Sequence, residues 1–279
     1  MEKFKIDLLF QIIGIGSASG LIYKNNTLWI IGDNSGFLYE YNINSNELNR
    51  HPLIENPTEN IPKKDKPDFE SITNQDDNLY IFGSGSTDKR NKNIQIDWTT
   101  KKIIATNDLS NLYKLMQSVG KINPEDFNLE GAIYDGKTWY FFNRGNGSAA
   151  KNVLFTIKGE SITKPSSILS NEYSLPKIKG VHTSFTDAVL VENSIYFLAT
   201  AEDTVSTYED SEVLGSIIGS IDLTTMKIKF TKKISNTNKF EGLTLYSHSS
   251  TKIEFLLCED KDTAILETAI YKLTLFLQK

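Results

Sequence analysis

Glu70, Glu130, Asp187 and Glu241 each open a short apolar run, at intervals of 60, 57 and 54 residues, and their carboxylates are the main candidates for chemistry. Acids brought together from separate runs repel one another and lose water. Something must offset that: a hard cation taking carboxylate and carbonyl oxygens, Arg and Lys partners, or carboxyl pKa values raised enough to keep some groups protonated. In the first case all four acids are metal ligands. In the bland alternative each acid accepts hydrogen bonds from backbone amides of a neighbouring segment and only knits the structure. Arg144 can clamp an anionic substrate through two parallel hydrogen bonds, or pair with Glu130 or Glu70. His182, a few residues before Asp187, is the histidine placed to act as an acid or base. The candidate catalytic groups are therefore Glu130, Arg144 and His182. The glycine strings Gly83-Ser-Gly85 and Gly145-Asn-Gly147 allow close backbone approach but match no phosphate-binding loop.

These side chains need a scaffold, and residues 126–147 encode its unit. Glu130 to Tyr134 and Lys137 to Asn143 are strand-like, and Asp135-Gly136 between them signals a two-residue turn. The hairpin brings Glu130 at one end beside Asn143 and Arg144 at the other, so one end of the unit is charged and the other is a plain turn. Ten residues after Glu130 comes Tyr140, and the same interval links Ser19 to Trp29, Glu70 to Tyr80 and Asp187 to Phe197. Glu241 is followed by Phe255 at a longer spacing, and a small residue follows each lead position: Gly20, Ser71, Gly131, Ala188 and Gly242. Five copies at this period in a chain rich in Tyr and Phe predict an all-β, five-bladed propeller, with six blades as the alternative count. The whole chain, 1–279, is then one propeller domain.

Each blade fills in with third and fourth strands. The turns Asp97-Trp-Thr-Thr-Lys and Asp222-Leu-Thr-Thr-Met repeat between the outer strands of blades 2 and 4, which supports the register. The last copy has room for only three strands, and Phe4 to Phe10 alternates well enough to supply the fourth, closing the ring. A competing reading takes Lys3, Lys5 and the run Leu8 to Gly16 as a signal peptide, but Asp7 and Gln11 interrupt it. Ring closure implies a cytoplasmic protein, and a monomer is expected. Two insertions break the pattern. Asp108 to Val119 places Leu109, Leu112, Tyr113, Met116 and Val119 on one helical face, with Asn107 or Asp108 as N-cap and Gly120 as stop, and Ala201 to Leu214 is a polar acidic loop. Both border the charged end.

Composition excludes other classes. The formal net charge of −5 argues against a nucleic-acid surface, and no run reaches the ~18 apolar residues of a membrane span. Cys258 is alone, so no disulfide forms within the chain.

The strings Asp68-Phe-Glu70-Ser-Ile, Leu129-Glu130-Gly-Ala and Phe240-Glu241-Gly-Leu, at the starts of inner strands, resemble those of uncharacterised bacterial propeller proteins. More distantly they look like the esterase-like phytase and gluconolactonase/paraoxonase propellers. That resemblance implies calcium in the channel and hydrolysis of phosphoesters or lactones, with Glu70, Glu130, Asp187 and Glu241 as metal ligands. The chain departs from those families in its five blades, where they commonly have six, and in lacking their asparagine ligands at the lead positions. Three functions follow: a metal-assisted hydrolase acting on a small anionic ester or lactone, a non-catalytic ligand- or protein-binding scaffold, and a metal-free glycosidase using a carboxyl pair.

Overall fold

The computed structural model describes residues 3–147, 149–159, 161–203, 212–261 and 263–277. Five antiparallel sheets of four strands each follow one another along the chain. Blade 1 is Ala18–Lys24, Thr27–Gly32, Phe37–Asn42 and Glu47–Pro52, and blade 2 is Phe69–Gln75, Asn78–Gly83, Lys92–Asp97 and Ile103–Asp108. Blade 3 is Leu129–Tyr134, Thr138–Asn143, Asn152–Lys158 and Ser167–Tyr173, and blade 4 is Ser184–Val191, Ser194–Glu202, Val213–Asp222 and Lys227–Lys233. Blade 5 takes Phe240–His248, Lys252–Glu259 and Glu267–Phe276 from the end of the chain and its outer strand, Lys3–Ile13, from the beginning. Inner strands pack against one another all the way round, blade 5 returning to blade 1, so the propeller has five blades and not six. Among the described residues no helix is long and apolar enough to cross a membrane.

Burial follows from this geometry. Inner strand Leu129–Tyr134 is buried at every position, whereas outer strand Ser167–Tyr173 alternates toward solvent. The core lies between blades: Tyr80 and Phe82 of blade 2 meet Trp139 edge-on, with ring centroids 5.0 and 5.8 Å away. The inserted helix, Ser110–Gly120, covers the junction of blades 2 and 3. Its Leu112, Tyr113 and Met116 are buried with Leu109, and the Tyr113 hydroxyl donates to the Gly83 carbonyl at 2.9 Å. Val119 is only partly buried. Asp108 ends a strand, and its carboxylate receives the Ser110 N–H at 2.8 Å. The left-handed residue that stops the helix is Lys121, whereas Gly120 is small because a Cβ there would lie 2.8 Å from Phe155. Of the insertion at Ala201 to Leu214, residues 204–211 lie outside the described residues.

A β-bulge at the head of every inner strand fixes the true register of the repeat. The unpaired residues are Ser19, Glu70, Glu130, Thr186 and Glu241. Blade 4 is therefore led by Thr186 rather than Asp187. Its aromatic ten residues on is Tyr196, which pairs with Val189 as Tyr140 pairs with Ile133. In blade 5 a second bulge between Leu245 and Ser247 puts Leu256, not Phe255, at the matching place. The residue after the bulge is small in blades 1, 2, 3 and 5 (Gly20, Ser71, Gly131 and Gly242), whereas blade 4 has Asp187; a Cβ on Gly131 would sit 3.3 Å from the Ala188 nitrogen of the next blade, and one on Gly242 would overlap the Leu21 side chain. The blade 3 hairpin turn is shifted by one residue, with Asp135 bonding Thr138 across it and its carboxylate receiving the Lys137 and Thr138 amides. The paired turns after Asp97 and Asp222 are alike, each aspartate receiving the amide three residues on.

Closure by Lys3–Ile13 joins the chain's two ends through ten paired positions. Removing residues 1–12 leaves an unpaired edge on blade 5 and is expected to cost several kcal/mol, at about 2–4 °C each, in one cooperative transition. Calorimetry checks this; an unchanged melting temperature would show that the fourth strand contributes nothing to closure.

Candidate functional site

Three positions per blade build the charged mouth, and each is set by the inner hairpin. The bulge residues form one ring. Residues two before them form a second: Ser17, Asp68, Asn128, Ser184 and Lys239. The residue facing the strand head across the hairpin, one step beyond the pair, gives a third: Asp33, Ser84, Arg144, Thr200 and Asp260. Ser19 and Thr186 do the same work in blades 1 and 4. Their hydroxyls donate at 2.5 and 2.7 Å to the carbonyls of Phe69 and Phe240, each just before the next blade's bulge. In blades 2, 3 and 5 that position carries Glu70, Glu130 and Glu241, all buried.

Most of these charges are neutralised within the protein. Arg144 lies among three carboxylates from three blades, donating through Nη1 to Glu130 at 3.1 Å and Glu241 at 3.5 Å, and through Nη2 to Glu202 at 2.5 Å. Lys239 contacts Glu241 and Asp260, each at 3.0 Å, and Glu202 at 3.4 Å. Glu202 is thereby held below the usual carboxylate range: burial pushes it up, but Arg144 and Lys239 outweigh burial. On the opposite side Lys66 pairs with Asp33 and, at 2.8 Å, with Asp68, whose other oxygen receives Arg90 at 2.8 Å. Asp68 is likewise held low, with Lys66 and Arg90 overcoming its burial.

Glu70 is the exception. It is 8% exposed and no hydrogen bond or ion pair reaches its carboxylate from the described residues. Burial, and next the charge of Glu130, push its pKa well above the ordinary value, while Lys66 pulls weakly the other way. Asp33, Asp68 and Glu70 each offer an oxygen within 4.8 Å of the others, and Oδ1 of Asp33 is buried without a partner. A cavity of about 230 Å³ lined by Asp33, Asn34, Asn60 and Lys66 leads to this corner.

The residues anticipated from sequence thus fall into separate places. Glu130 and Glu241 share Arg144, and Glu70 joins Asp33 and Asp68 instead. Asp187 stands one residue past its bulge, so its carboxylate turns to backbone, receiving the N–H of Ala188 and, from blade 5, of Leu243, both at 2.7 Å. Those amides account for both oxygens and make Asp187 a link between blades. Arg144 is engaged by carboxylates rather than open to an anion. His182 is exposed on a two-stranded ribbon, Lys177–Ile178 with Val181–His182, beside a cavity that Glu202 also lines. Sequence reasoning missed Asp33, Lys66, Asp68, Glu202, Lys239 and Asp260; positions two before each bulge and across from it would have marked Asp33, Asp68, Lys239 and Asp260 once the register was known.

Arg144→Met leaves Glu130, Glu202 and Glu241 without their shared cation, and breaking such a buried network is expected to cost about 3–5 kcal/mol at neutral pH. The deficit should shrink as the pH falls and those carboxyls protonate. Melts of both proteins from acid to neutral pH test it; equal deficits across that range would show that Arg144 acts by packing alone.

Residues 14–275 match the model of a family described as "Family of unknown function (DUF6929)". No protein of curated function matches the chain. Among solved structures it resembles a calcium-binding protein, regucalcin, from Agrobacterium tumefaciens, at 8% identity over 97% of this chain and 96% of that one with a TM-score of 0.50. It also resembles luciferin-regenerating enzyme, at 8% identity over 97% and 95% with a TM-score of 0.45, and a member of the duf4221 family from Bacteroides vulgatus, at 7% over 98% and 98% with 0.46. Likeness at these identities shows the fold alone.

Proposed function

We propose, for a chain that belongs to the DUF6929 family, that the channel mouth binds a hard divalent cation, calcium being the candidate, at Asp33, Asp68 and Glu70. One observation carries the reading: Glu70 is a buried carboxylate with no partner, beside the unpaired Oδ1 of Asp33. Among the described residues, seven acids at the mouth (Asp33, Asp68, Glu70, Glu130, Glu202, Glu241 and Asp260) face five bases (Lys63, Lys66, Arg90, Arg144 and Lys239). A field of that sign favours cations over free anions. Lys66 now sits on two of the three ligands, so its ammonium must give way or share the site. Two further oxygen-bearing side chains, Asn34 and Asn60, line the approach. Bound there, a divalent ion would supply Lewis acidity toward a substrate oxygen and water, the chemistry required to hydrolyse a small ester or lactone, while Arg144 is already held by three acids.

The same ion pairs favour a second reading, a non-catalytic scaffold. Arg144 joins blades 3, 4 and 5, and on that account the network serves closure.

Glu70→Gln separates the two. A carboxyl whose pKa is raised on folding contributes stability below its unfolded value and loses it as the pH rises through the folded value. Wild type should therefore weaken over that interval, and Glu70→Gln should be more stable at neutral pH by about 1–3 kcal/mol. Calcium added after chelation should raise the melting temperature of wild type and leave the variant unmoved. A wild type indifferent to calcium, by melting and by calorimetric titration, would overturn the cation site and leave the scaffold.

A further inference from the structure

A second place on the same face is built to receive a ligand and is used by nothing described so far. It is a cavity of about 420 Å³ between blades 3 and 4, within the range of small-molecule sites. One wall is the loop after the second strand of blade 3. Gly145 and Gly147 are glycines for packing reasons: a Cβ on the first would lie 2.7 Å from the Asn152 nitrogen, and one on the second would overlap the Asp126 carboxylate. The loop is thereby pressed against the chain on both sides of Asn146, and the Asn146 amide is held in the wall. Its Oδ1 is buried and receives no hydrogen bond. A buried acceptor left open costs roughly 1–3 kcal/mol, so a donor arriving from a ligand is favoured.

The opposite wall comes from the short ribbon and the long second strand of blade 4. Ser184 is 4% exposed, lines the cavity, and its hydroxyl makes no hydrogen bond among the described residues. His182 lines it too, and its ring, when neutral, offers one more acceptor. Glu202 and Asp203 supply carboxylates to the wall, and among the described residues no lysine or arginine lines it. Glu202 is already paired to Arg144 and Lys239, which leaves exposed Asp203 as the charge open to a ligand.

We infer that this cavity binds a small organic cation, an alkylammonium or guanidinium, whose N–H groups donate to Oδ1 of Asn146 and to the Asp203 carboxylate. Among the described residues lining it the charged side chains are both carboxylates, and of these Asp203 is the one without an ion pair. A neutral polyol would satisfy Asn146 but gain nothing from Asp203, and an anion would be repelled by it. The inference is independent of the divalent cation, whose residues lie on the side of blades 1 and 2.

Agmatine, which carries an ammonium at one end and a guanidinium at the other, is the probe. Calorimetric titration of the full chain is expected to show one site. Pentane-1,5-diol should bind at least tenfold more weakly, and glutarate should not bind. Asn146→Leu and Asp203→Asn should each weaken agmatine at least tenfold, while Glu70→Gln leaves it unchanged and so separates this site from the cation corner. Asp203 is exposed, so its variant remains informative if Asn146→Leu fails to fold. A short blocked peptide with one central arginine distinguishes the sources: binding equal to agmatine points to a protein side chain, weaker binding to a free amine, and either supports the cation cavity. Agmatine affinity unchanged in Asp203→Asn, or glutarate binding as well as agmatine, would overturn it.

Discussion

Five strand heads converging on one axis is the constraint on which the rest of this structure depends. Each inner strand packs against two others so closely that little room is left just past its bulge: a Cβ on Gly20, Gly131 or Gly242 would crowd its neighbours, and Asp187 turns its carboxylate onto the amides of Ala188 and, in the next blade, Leu243. Convergence at the backbone forces convergence of the side chains at the bulge itself. Hydroxyls there are easily accommodated, because a Ser or Thr reaches the adjacent carbonyl and is satisfied. Glutamates are not. Three of them at one mouth lose water together, and the desolvation of each is felt by the others.

The fold answers with cations placed by the same repeat. Lys239 and Arg144 occupy ring positions that in other blades carry Ser, Thr, Asp or Asn, so the neutralising charges arrive in register with the acids they offset. The answer is incomplete on one side. Around Arg144 and Lys239 every carboxylate has a partner, whereas near Lys66 and Arg90 the two bases are spent on Asp33 and Asp68 and Glu70 has none. A buried charge without a partner is costly, and among the mouth glutamates Glu70 alone is left in that position by the described residues.

Much of this was legible in the sequence, and the parts that were not have physical reasons. The hairpin of residues 126–147 and its copies carried the blade number, and the missing fourth strand of the last copy with the alternating run Phe4 to Phe10 carried closure, because both report backbone pairing. The register of blade 4 slipped by one because a carboxylate at Asp187 looked chemically equivalent to Glu70 and Glu130, while the equivalence that counts is steric: Phe185-Thr186-Asp187 lies on Phe69-Glu70-Ser71, and Thr186 does what Ser19 does. Lys66 carries no periodic signal, since it stands in a connection whose direction is fixed only when the blades meet. Glu202, at the end of an unusually long strand, reaches Arg144 of a neighbouring blade, a contact that no local pattern encodes.

Among the described residues no charged side chain lines the space at the far end of the axis, and this limits what the protein can do. Two residues along from the bulges stand Leu21, Ile72, Ala132, Ala188 and Leu243, all apolar and all lining the space at the far end of the axis. A charged ligand entering at the acidic mouth therefore meets a hydrocarbon ring one step in, where its desolvation would go uncompensated. Passage through the propeller is closed to it. Whatever binds among Asp33, Asp68 and Glu70 must enter and leave by the same opening, past Asn34, Asn60 and the Lys66 ammonium. Lys66 stands at the head of that approach, its ammonium paired with Asp33 and Asp68 while Glu70 has no partner among the described residues.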